Sequence, residues 1–227
     1  MIFSASRIKT FLSCPRKFAW QYLAGLPSPT SKAQSFGQDV HAILEQFVSQ
    51  GYPVDVSTPE GLVAAQGAPY VLEYVKDPGV TCEREFQFAS SAGRYWRGFK
   101  DLETPELILD YKTTASVQYA LTPDALMYDA QAILYAHEHF LTYEGDTVRL
   151  VWLYLQKRKP IMHLPVIVDM TRDHAALGFR ALEESAAAAE SLTGTTAEDI
   201  LTIEGNYSAC GEYGGCPYRA QCGRLFS

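Results

Sequence analysis

Between Thr81 and Thr114 three period-two segments follow one another, "TCEREFQFA", "YWRGFKDLE" and "LILDYKTT", separated only by the turns "SSAGR" and "TPE". Strand side chains alternate between two faces, and turns this short join neighbouring antiparallel strands. The stretch predicts a meander whose last strand is apolar enough to be central. The alternation also fixes one pair of side chains. Asp110 and Lys112 stand two positions apart in "LILDYKTT", so both point to one face. Asp101 closes the preceding strand a short turn away, which can bring a second carboxylate close.

Helical patterns surround the meander. Ser4 is a candidate N-cap for a first helix, about residues 4–24, with a break near Pro15. A second helix is expected over about Phe36–Ser49, and a weaker third over about Glu60–Val75. Thr122 and Pro123 start a helix to about Leu141, "VRLVWLYLQ" and "MHLPVIVD" form a hairpin around "KRKP", and Thr171 caps a helix to about Ser191. "TAEDILTI" predicts a short final helix, and the tail from Asn206 has no clear period. At 227 residues one domain is expected, mixed α/β around a single sheet.

Composition narrows the classes of function. Apolar residues are 47% of the chain and charged residues 20%, an ordinary globular balance. A net charge of −7 counts against an extended surface for coating nucleic acid, whose affinity comes from phosphate neutralisation. It leaves room for a cleft with a local basic rim, to which "KRKP", Arg16 and Lys17 could contribute. With no export signal and no apolar run long enough for a bilayer, the expectation is an intracellular protein without a membrane partner. Five cysteines, an odd number, argue against a disulfide framework.

Several residues could carry chemistry, each beside a plainer reading. Asp101 and Asp110 would suit magnesium or manganese, which prefer oxygen ligands, with Lys112 facing the same way; the plain alternative is a surface ion pair. His41, four residues after Gly37, would add a nitrogen ligand, or be a buried, satisfied histidine. Gln131 and Tyr135 share a helix face, or form an ordinary amphipathic edge. Cys210, Cys216 and Cys222 are spaced C-x5-C-x5-C, and Cys14 is the obvious fourth ligand if the chain ends meet. Cys82 reads better as a packed side chain. Four thiolates hold zinc or an iron–sulfur cluster, and the lack of a C-x2-C knuckle favours the cluster.

In order along the chain these stretches, "SASRIKTFLSCPRKF", "FGQDVH", "RGFKDLE", "LILDYKTT", "DAQAILYAH" and "CGEYGGCPYRAQC", resemble the RecB-like branch of the PD-(D/E)XK nucleases. More narrowly the chain resembles the CRISPR-associated iron–sulfur exonucleases, a type also encoded by phages. The resemblance implies a restriction-endonuclease-like α/β core. It implies that His41, Asp101 and Asp110 bind a catalytic magnesium or manganese, with the Tyr111 backbone carbonyl as a further ligand. Lys112 would be the catalytic lysine, and Gln131 and Tyr135 would position DNA or support that lysine. Cys14, Cys210, Cys216 and Cys222 would hold a [4Fe-4S] cluster tying the tail, about residues 206–227, to the first helix. The family's tail commonly opens with C-x2-C, so the C-x5-C here is a departure that touches cluster geometry. The implied activity is a metal-dependent DNA exonuclease acting on single strands or DNA ends. Its setting would be recombination, phage DNA processing or CRISPR spacer acquisition, in the cytoplasm of a bacterial, archaeal or phage-infected cell. A homo-oligomer, or a partner protein from recombination or CRISPR adaptation, is compatible with this. The rival reading is a nuclease-fold DNA-binding or assembly subunit that cuts little by itself.

Overall fold

The computed structural model describes residues 1–29 and 31–223, so Thr30 and the last four residues of the expected tail lie outside the described residues. Two compact units divide the chain. One comprises Met1–Thr30, Ala89–Trp96 and Arg180–Ser227, and the other Ser31–Phe88 and Arg97–Phe179. Among the described residues no helix is long and apolar enough to cross a membrane.

Most of the meander lies in the larger unit. Strands β2 (Thr81–Ala89) and β4 (Leu107–Thr114) have the bounds that the alternation predicts, and β3 (Tyr95–Thr104) lies between them in sequence. β4 pairs antiparallel with β3 and parallel with β5 (Thr147–Gln156), which pairs antiparallel with β6 (His163–Thr171). The sheet is therefore mixed; with β1 the short strand Ile2–Phe3, its order is β1-β3-β4-β5-β6, and β2 is also beside β3. β4 and β5 are buried along most of their length, as strands covered on both faces are.

Helices α3 (Lys32–Gln50) and α4 (Pro59–Val71) cover one face. Val40, Leu44, Val48 and Val63 pack there against Leu102, Leu109, Tyr111 and Leu153. α3 begins four residues before the expected Phe36, because Ser31 and Gln34 close a reciprocal capping box. A Cβ on Gly37 would lie 2.9 Å from Thr113 Oγ1, so glycine lets α3 lie against β4.

The single helix expected from Thr122 to Leu141 is instead two, α5 (Pro123–Met127) and α6 (Ala130–Thr142). The break falls at Asp129, whose carboxylate accepts the backbone N–H groups of Gln131 (2.9 Å) and Ala132 (3.2 Å). An aspartate N-cap satisfies donors that a continuous helix would have bonded internally.

In the smaller unit, β1 (Ile2–Phe3) pairs in parallel with Tyr95 and Trp96 of β3. The expected break at Pro15 separates α1 (Ala5–Ser13), capped by Ser4, from α2 (Pro15–Phe18). A π-helical turn, Ala19–Leu23, follows. The long helix α7 spans Arg172–Glu190, of which the residues from Arg180 onward belong to this unit. Thr171 Oγ1 accepts the His174 N–H, as its capping role predicts. "TAEDILTI" yields only a 3-10 turn, Asp199–Thr202.

Candidate active site

Paired backbone between β3 and β4 runs from Thr104↔Leu107 to Leu102↔Leu109. Beyond Leu102 a side chain takes over, because Asp101 Oδ2 accepts the Tyr111 N–H at 2.6 Å. The N–H and C=O of one strand residue point the same way. The Tyr111 carbonyl is thus directed to the Asp101 side, while its ring is buried in the core among α3 and α4.

Three groups meet at this point. His41 Nδ1 lies 3.3 Å from Asp101 Oδ2, and its ring meets Tyr111 edge-on at 5.5 Å. Glu83 completes the set: ligand atoms of His41, Glu83 and Asp101 all lie within 4.8 Å of one another. Nothing in the sequence pattern singles out Glu83 as a donor. Its backbone φ of +47° is the left-handed region, uncommon for a side chain other than glycine and costing about 1 kcal/mol or more. Such a residue interrupts the pleat, so simple alternation along "TCEREFQFA" could not say where its carboxylate points.

The electrostatics follow from crowding. Burial and the charge of Asp101 push Glu83 up to about 7. Burial pushes Asp110 up to about 6, against the pull of Lys112. His41 is raised: burial disfavours its charge, but the hydrogen bond to Asp101 and the Asp101, Asp110 and Glu83 charges outweigh that. Carboxylates this close call for a cation. The donor set, one imidazole and several carboxylate oxygens with a carbonyl nearby, suits a hard divalent ion.

Asp110 and Lys112 do share a face, and α6 bridges them. Gln131 Nε2 donates to Asp110 Oδ1 at 2.7 Å, and Lys112 Nζ donates to Gln131 Oε1 at 2.8 Å. Lys112 Nζ also forms a close ion pair with Asp110 Oδ2. Burial opposes the charge of Lys112, but Asp110 outweighs it and raises the ammonium above its ordinary value. Asp110 is not in the His41 group; its carboxylate faces Lys112 and Gln131. Tyr135 is buried, edge-on to Phe86 at 5.6 Å and tilted on Trp152 at 6.4 Å, so it packs behind the lysine. A cavity of about 700 Å³ opens at the opposite end of β4, lined by Glu106, Leu107, Arg149 and Asp169 among others, and includes none of these groups.

Four of the five cysteines, Cys14, Cys210, Cys216 and Cys222, lie in the smaller unit, while Cys82 packs against the core of the larger one. Cys14 Sγ accepts the N–H of Lys17 and of Asn206, each at 3.4 Å. Cys210 Sγ lies 4.0 Å from the Asn206 carbonyl, and Cys216 and Cys222 pack against Ala19, Trp20, Ile200 and Tyr218. The two chain ends meet there, and none of the five cysteines forms a disulfide. Among the described residues no three of these sulfurs lie within 4.8 Å of one another. Arg16 is not available as a basic contact: it is buried and donates to the Ile203 and Leu201 carbonyls and the Tyr207 hydroxyl, each at 2.9 Å.

The sequence profile of the PD-(D/E)XK nuclease superfamily matches residues 2–97, a stretch that includes His41 and Glu83. No curated protein matches. A crystal structure of a candidate exonuclease from Eubacterium rectale is similar to this chain at a TM-score of 0.58 and 15% identity, covering 99% of this chain and 88% of that one. A phage-related exonuclease from Haemophilus somnus 129PT aligns at a TM-score of 0.37 and 12% identity, over 84% of this chain and 92% of that one, too distant to bear on the fold. The profile match over residues 2–97 and the mixed sheet flanked by helices agree with each other: the chain is similar to the PD-(D/E)XK nucleases over that stretch, and its fold is restriction-endonuclease-like.

Proposed function

We propose that this chain is a metal-dependent DNA exonuclease, acting on single strands or DNA ends. The observation that carries the reading is the junction of His41, Glu83 and Asp101 with the Asp110–Lys112–Gln131 bridge at the point where β3 and β4 part. A magnesium or manganese ion held by His41, Asp101 and Asp110, with Glu83 and the Tyr111 carbonyl as further donors, would supply Lewis acidity towards a phosphate and acidify water. Lys112 would place its charge against the phosphoryl group, where negative charge develops in the transition state. Gln131 fixes the ammonium and the Asp110 carboxylate at once. Tyr135 supports that arrangement by packing.

Cys14, Cys210, Cys216 and Cys222 are proposed to hold a [4Fe-4S] cluster. What supports the reading is that the chain ends meet: Cys14 and Cys210 both lie against Asn206, and Cys216 and Cys222 pack beside Ala19 and Trp20.

The test is cleavage of end-labelled single- and double-stranded DNA with magnesium or manganese. Wild type should cut, chelation should stop it, and Asp110→Ala and Lys112→Ala should each lower the rate at least about 100-fold while still melting cooperatively. Variants that cut like the wild type would defeat the site assignment. DNA retention without cleavage under any divalent ion would favour the rival reading of a binding or assembly subunit.

A further inference from the structure

Beyond Gln131 the inner side of α6 continues into a second cluster of charge. Glu138 follows Gln131 by seven residues, about two helical turns, so both lie on one side. Glu138 accepts from Arg84 at 2.6 Å and 3.1 Å and from Lys100 at 2.6 Å. Arg84 also donates to Glu103 at 2.6 Å; Lys100, fully buried, contacts the same carboxylate, and His139 Nδ1 meets it at 2.7 Å. Buried ion networks of this size add little stability over a well-packed apolar core, because desolvation consumes the Coulomb gain. What such a network does specify is register, since each charge has one set of partners and a shifted helix would strand them.

Its members are placed next to the candidate chemistry. Arg84 follows Glu83 in β2, and Lys100 precedes Asp101 in β3. We propose that this network is a positioning device for the cleavage reaction. It locks α6 against β2 and β3, and so holds Gln131 between Asp110 and Lys112. Glu138, Lys100 and Arg84 are positioning residues, acting through Gln131 and touching no substrate. The inference rests on the nuclease reading of the site.

A double-mutant cycle tests it. Glu138→Gln should lower kcat about tenfold while KM and DNA retention in calcium change less than twofold. In a Gln131→Ala background the same substitution should cost less than twofold, because the element it positions is already gone. Equal factors in both backgrounds, or a loss confined to KM, would overturn the proposal. The neutral pair Lys100→Met/Glu138→Met, which leaves Arg84 and Glu103 paired, runs the same cycle should Glu138→Gln not fold. Hydrogen exchange at the first turn of α6 gives a readout independent of cleavage. Amides of Gln131 and Ala132 should exchange at least about tenfold faster in Glu138→Gln while those of α3 hold, and unchanged exchange there would also overturn it. Absence of wild-type cleavage would instead count against the nuclease reading, with the exchange result still judging the network.

Discussion

Glu83 has the most unusual backbone setting of the candidate metal donors. It pairs a left-handed backbone with a carboxyl raised to about 7, and Asp110 is raised to about 6 beside it. A carboxyl whose folded value exceeds its unfolded value binds more protons in the folded state. Without metal, stability therefore falls as pH rises from the usual carboxylate range towards about 7. A divalent ion takes the place of those protons. Manganese should accordingly raise the melting temperature more at pH 8 than at pH 5.5, and equal shifts at the two values would contradict the crowding seen here. Asp110 and Lys112 were legible as a pair because strand alternation is a short-range rule. Glu83 was not, because its aim depends on one strained dihedral that nothing in the local pattern encodes.

At the scale of elements, the position of α6 matters most. The apolar pattern from Thr122 to Leu141 gave the helical faces correctly, and it missed the break because periodicity says nothing about caps. Asp129 is what turns one helix into two and puts Gln131 in the first turn of the second. Close packing between β3 and α6 is also narrow in tolerance. A Cβ on Gly98 would lie 2.5 Å from Phe86 Cζ and 3.0 Å from Tyr135 Cε1. Gly98→Ala must displace both rings and should cost about 1–3 kcal/mol, read as a lower urea midpoint. An unchanged midpoint would mean that the rings move freely, which their burial argues against.

The whole molecule is organised by contacts far apart in sequence. The smaller unit joins the first 30 residues to the chain from Arg180 onward, and Arg16 is its clasp. In sequence Arg16 looked like a surface charge; the three acceptors that surround it are nearly 190 residues away and gave no local sign. Arg16→Met would leave the Ile203 and Leu201 carbonyls without their donor. It should lower stability by about 2–4 kcal/mol, with proteolysis of the tail as a sensitive readout. The proposed cluster lies in the same unit. Anaerobically purified protein should be brown, and Cys222→Ser should lose both the colour and the tail's resistance to protease; a colourless wild type with bound zinc would remove the cluster from the account.

The bond from the Tyr111 N–H to Asp101 has a practical consequence for inactive controls. Asp101 serves as an edge partner for β4, doing with its side chain what a neighbouring strand would do with its backbone. Asp101→Ala therefore removes a ligand and uncaps a strand together, and a dead enzyme of that kind says little about chemistry. Asp101→Asn keeps an acceptor oxygen and discards only the charge, so the difference between the two variants separates reaction from scaffold.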